Sequence, residues 1–90
     1  MTQKTEFSAS VKDFCIQLFD DIRSISADVQ GVTREGYTQT EDLVHERLAK
    51  AAREIGLEVR VDAALNLWMT LPGRNRSLPA FVSGSHADSV

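Results

Sequence analysis

Leu57-Glu58-Val59-Arg60-Val61-Asp62 alternates apolar and charged side chains one for one, and a period of two is that of a β-strand with one face buried and the other wet. This run decides the fold because the sequence before it repeats differently. Between about residues 39 and 55, Val44, Leu48, Ala51, Ala52 and Ile55 return at three- and four-residue steps, with Leu43 flanking them, which lines one face of an α-helix. Thr38 as N-cap with Glu41 three residues on reads as a capping box, and Gly56 is placed to end the helix in a left-handed turn. Further upstream, Val11, Phe14, Cys15, Leu18, Ile22 and Ile25 form a second helical stripe over about residues 10–25, with Phe19 at its edge. Ser10 is the expected N-cap there and Asp13 the acid of the first turn. Cys15, the single cysteine, has no partner for an internal disulfide and is expected as a buried thiol.

Downstream of the alternating run, Asp62-Ala63-Ala64-Leu65-Asn66 predicts a turn, with Asn66 the residue best able to take a positive φ. Residues 66–71 predict a second strand antiparallel to the first, in which Trp68 takes a half-buried sheet position. Pro72-Gly73-Arg74-Asn75-Arg76-Ser77 is a loop of turn formers, and the apolar run Pro79-Ala80-Phe81-Val82 predicts a third, buried strand over 79–83. The order helix, helix, strand, strand, strand gives an α/β fold in which two amphipathic helices cover one face of a small sheet.

Ninety residues make one small domain, whose core is marginal because such a chain buries only roughly 60–65% of its unfolded surface. With 42% hydrophobic and 26% charged residues the composition is that of a water-soluble domain, and a net charge of −3 gives no footprint for nucleic acid or an anionic membrane. No apolar run approaches the ~20 residues of a membrane span and no secretory leader is legible, so the expected compartment is the cytoplasm.

The chemistry is concentrated at Ser83-Gly84-Ser85-His86-Ala87-Asp88-Ser89-Val90. Along extended backbone, residues two apart share a side, so the Asp88 carboxylate is expected beside the His86 ring. That pairing suits a metal-ligating imidazole whose second N–H is oriented by a carboxylate, although Asp88 could itself be a ligand. Ser85, His86 and Asp88 also spell a Ser-His-Asp triad, but neighbours on extended backbone point apart and no Gly-x-Ser-x-Gly elbow is present. His45 stands alone among Glu41, Asp42, Glu46 and Arg47 and is expected as a solvated histidine. Arg34, in a polar connection, is expected to be solvated or structural and carries no assigned role.

Five stretches, Gly31-Val32-Thr33-Arg34, Gly56 through Ala63, Asn66-Leu67-Trp68, Leu71-Pro72-Gly73-Arg74 and Gly84-Ser85-His86-Ala87-Asp88-Ser89-Val90, together resemble the N-terminal part of the amidase, hydantoinase and carbamoylase branch of the M20 metallopeptidase-like family. The resemblance covers most of the chain from Gly31 onward. It departs from the family at Leu65, where glycine is more usual. The resemblance implies that residues 1–90 open a mixed-sheet catalytic α/β domain, the lid or dimerisation domain and the remaining catalytic residues lying further along the intact protein. It implies His86 as a ligand of one ion in a two-metal centre of zinc or manganese, with Asp88 supporting it. The implied reaction is hydrolysis of linear amide or carbamoyl C–N bonds in N-carbamoyl amino acids or allantoate-like ureido acids by a homodimeric enzyme. By the same expectation the 90-residue chain alone is inactive, since a catalytic zinc needs about three protein ligands. Two other readings stay open: a small non-catalytic α/β module binding a protein partner through its sheet edge or first helix, and an M20 hydrolase acting on peptides.

Overall fold

In the computed structural model, residues 9–28 and 31–89 are described, and they form two helices and one β-hairpin: α1 (Ala9–Ser26), α2 (Gln39–Glu54), β1 (Glu58–Val61) and β2 (Leu67–Thr70). The fold is therefore α/β, with α2 in the middle. It touches α1 on one side and both strands on the other, whereas α1 does not reach the hairpin. The expectation that both helices cover the sheet is thus corrected. With extents of 49 × 35 × 19 Å the molecule is barely two layers thick, since packed helices and sheets sit about 10 Å apart. Apolar burial is consequently confined to the middle element: the buried apolar side chains among the described residues are Val44, Ala49, Ala51 and Ala52, all on α2. Ile55, expected on the apolar face, is 59% exposed because the helix has already ended before it.

The α2 ends follow the local sequence. Thr38 adopts an extended N-cap conformation and its hydroxyl accepts from the Glu41 amide, while the Glu41 carboxylate accepts from the Tyr37 amide one residue outside the expected partner. At the other end Gly56 takes φ 86°, and the amides of Gly56 and Leu57 bond to the carbonyls of Arg53 and Ala52. This reciprocal pair is a Schellman motif. Helix α1 is already formed at Ala9, so Ser10 is a first-turn residue rather than the N-cap. Its stripe packs on α2 but stays half-buried from Phe14 to Ile25, Cys15 included, and Val11 is exposed. Across the helix pair, Arg47 Nε donates to Asp21 at 2.9 Å and Gln17 donates to the same carboxylate at 2.7 Å. These contacts hold the Asp21 carboxyl below its usual range, Arg47 first and Gln17 second.

The hairpin pairs Glu58 with Thr70, Val59 with Met69, Arg60 with Trp68 and Val61 with Leu67. Its turn is built on Asp62, whose carboxylate accepts from the backbone N–H groups of Ala64 and Asn66, the Asn66 side-chain amide and the Trp68 indole at 2.8–3.0 Å. Trp68 is half-buried, and the Arg60 guanidinium lies 4.8 Å from its ring centre. The positive φ of the turn falls on Leu65 (68°), not on Asn66. Asn66 is occupied as a double donor to Asp62, which leaves the left-handed position to its neighbour.

The third strand expected over 79–83 does not form. Among the described residues the sheet has two strands, and Phe81 and Val82 lie on the surface, Phe81 fully exposed. A strand is stabilised by a neighbour that satisfies its amides, and neither edge of the hairpin pairs with this segment. Its predecessor, the 72–78 loop, is held instead to β1 by the two-pronged Arg76–Glu58 ion pair at 2.7 and 3.0 Å. That pair pulls the Glu58 carboxyl below its usual range.

Candidate functional site

The segment that follows Val82 returns across the molecule to the connection between the helices. Asp28, Gly31 and Thr33 shape that connection, with the Gly31 amide and the Thr33 hydroxyl both donating to the Asp28 carboxylate. The Thr33 amide bonds to the Ser26 carbonyl at 2.8 Å, and Ala27 and Val32 form an isolated bridge. This tight return leaves Arg34 facing the far end of the chain. Arg34 and Ser89 exchange both backbone hydrogen bonds at 2.6 Å as an antiparallel bridge.

Where the two segments meet, His86 Nδ1 lies 3.1 Å from Asp88 Oδ1 and 3.0 Å from the Asp88 carbonyl oxygen. Both partners are acceptors, so this geometry calls for a proton on Nδ1, and in the neutral ring that leaves Nε2 with the free lone pair. His86 is exposed, its side chain at 82%, whereas Asp88 is half-buried. The pair presents an outward-facing imidazole nitrogen on a short, carboxylate-fixed stem. Ser85 makes no hydrogen bond with His86 among the described residues, so the spelled triad has no nucleophile–base contact.

His86 and Asp88 line a groove of about 1190 Å³ with Arg34, Tyr37, His45 and Trp68. His45, expected in open water, is half-buried and faces this groove. The polar pattern around it on α2 gave no sign of this, because the wall opposite His45 comes from residues about forty positions later. The described residues hold no group of three or more His, Cys, Asp and Glu side chains gathered as a metal would need. One imidazole and one carboxylate are donors of the right chemistry but fall short of a catalytic zinc site, which takes about three protein ligands. The described residues alone therefore do not make a complete metal centre. No helix among them is long and apolar enough to cross a membrane.

The chain is similar to two curated proteins. It is 39% identical over 70 residues to an N-carbamoyl-L-amino-acid amidohydrolase of Paenarthrobacter aurescens, a match covering 78% of this chain and 17% of that protein. It is 30% identical over 73 residues to an uncharacterized hydrolase of Haemophilus influenzae, covering 81% of this chain and 18% of that protein. The chain thus spans less than a fifth of the length of either relative. No family model matches, and no solved structure does. At the level these relatives share, the similarity is to hydrolases, one of them an amidohydrolase.

Proposed function

We propose that these 90 residues are the opening segment of a metal-dependent hydrolase of the M20 type, acting on linear amide or carbamoyl C–N bonds such as those of N-carbamoyl amino acids or ureido acids. In this reading His86 is one metal ligand through Nε2 and Asp88 orients it, with the other ligands and the proton-transferring group supplied by chain beyond Val90. The observation that carries it is the His86–Asp88 pair, joined at 3.1 Å on the wall of an open groove, in a chain similar to a carbamoyl amidohydrolase over 78% of its length. A carboxylate that accepts the second N–H of a ligating imidazole is the usual support of such a ligand. Within this reading the 90 residues alone turn over nothing.

The test is a chimera in which this chain replaces the matching stretch of the Paenarthrobacter aurescens amidohydrolase. We expect turnover of N-carbamoyl-L-amino acids, reduced by about 10–100-fold in Asp88→Asn, the range for losing a ligand's supporting group, and abolished in His86→Ala. A folded, metal-loaded chimera that hydrolyses no carbamoyl or ureido substrate, or keeps its activity without His86, contradicts the proposal.

A further inference from the structure

We infer that Arg34 is the positioning residue of the His86–Asp88 pair, and that it acts by tying the backbone of residues 87–89 to Ser26 at the end of α1. This inference rests on the reading of His86 and Asp88 as the functional pair. Among the described residues, every long-range hydrogen bond to the 79–89 segment comes from Arg34: its Nε donates to the Ala87 carbonyl at 2.7 Å, and its backbone exchanges two bonds with Ser89. These contacts fix the residues on either side of Asp88. His86, one position before Ala87, is thereby left facing the groove.

The anchor is as specific as the clamp. Ser26 is 3% exposed and is the buried polar residue among those described. Its hydroxyl donates to the Ile22 carbonyl at 2.7 Å and accepts from Arg34 Nη1 at 2.8 Å. A hydroxyl has one proton, so once it is given to Ile22 the oxygen presents lone pairs alone, and a cationic N–H is the partner that suits it. The guanidinium then bridges helix end and site segment through two different nitrogens of one rigid plane. An ammonium has the charge but not this span. Arg34→Lys therefore separates positioning from electrostatics.

The experiment is amide hydrogen exchange and histidine-ring ¹⁵N spectroscopy on the full 90-residue chain, comparing wild type, Arg34→Lys and Ser26→Ala. In Arg34→Lys the Ser89 amide should exchange at least about tenfold faster, with α2 and the hairpin keeping their protection, as a local opening requires. The His86 ring should shift from the Nδ1-protonated form toward a mixture of tautomers, approaching that of Asp88→Asn. Ser26→Ala should change both signals in the same direction by less. Unchanged Ser89 exchange and an unchanged His86 ring in Arg34→Lys would overturn the inference. Equal loss of protection in α2 and the hairpin would overturn it too, because Arg34 would then support the fold at large. These signals need no metal, so an inactive, metal-loaded chimera contradicts the functional proposal while the positioning role of Arg34 stands or falls on its own signals.

Discussion

At the scale of single residues, Asp62 has the most demanding task. Four donors converge on its carboxylate and hold its pKa at about 2, with the Trp68 indole first and the Asn66 side chain next. A carboxyl whose folded pKa lies below its ordinary 3.8 adds stability above that ordinary value, and this contribution disappears as pH falls through the folded one. Hairpin stability should accordingly fall between about pH 4 and pH 2. Trp68 reports it directly, and its emission should change with a midpoint near 2 in wild type and show no such step in Asp62→Asn. A wild-type midpoint at the ordinary carboxylate value would show that these four donors do not hold the carboxylate. Leu65 makes the opposite case, a branched side chain at φ 68° and 52% exposed. A left-handed conformation costs a non-glycine residue about 1–2 kcal/mol, partly offset in glycine by its freer unfolded chain. Leu65→Gly should therefore raise stability by about 0.5–1 kcal/mol in urea titrations; a loss would mean that Leu65 packing outweighs the backbone.

At the scale of elements, legibility followed the range of the interactions. The start and stop of α2 were readable because Thr38, Glu41 and Gly56 act on amides within five residues of themselves. A Cβ at Gly56 would meet nothing within 4 Å, so the requirement there is purely conformational. Gly56→Ala should cost about 1 kcal/mol, seen as an earlier thermal unfolding with the hairpin register unchanged. The period change at Leu57 located β1, and the turn after Asp62 located the start of β2. By contrast, the run at 79–83 has the composition of a strand, but a strand also needs a partner, and no local pattern supplies one. The turn went to Leu65 because Asp62 recruited Asn66, a choice made by hydrogen bonds rather than by φ preference. His86 and Asp88 were legible as a pair because extended backbone puts residues two apart side by side. Arg34 was not, since its acceptor on Ala87 lies 53 residues away, and the groove position of His45 was hidden by the same kind of distance.

At the scale of the whole molecule, one central helix carries the core while apolar side chains stay outside. Leu71, Leu78, Phe81 and Val82 are each at least 65% exposed along one continuous stretch. Such a strip favours contact with other apolar surface. Sedimentation of the 90-residue chain should show concentration-dependent association that Phe81→Asp reduces without altering the β1–β2 amides. A monomer at every concentration would show that the strip is solvated as it stands. The metal-ligand role proposed for His86 is tested most directly by a zinc titration of the full chain, followed at the ring nitrogens of its two histidines. Weak, one-to-one binding should perturb Nε2 of His86, leave His45 nearly unmoved and vanish in His86→Ala. Zinc that perturbs both histidines alike, or that binds as well without His86, would contradict that role.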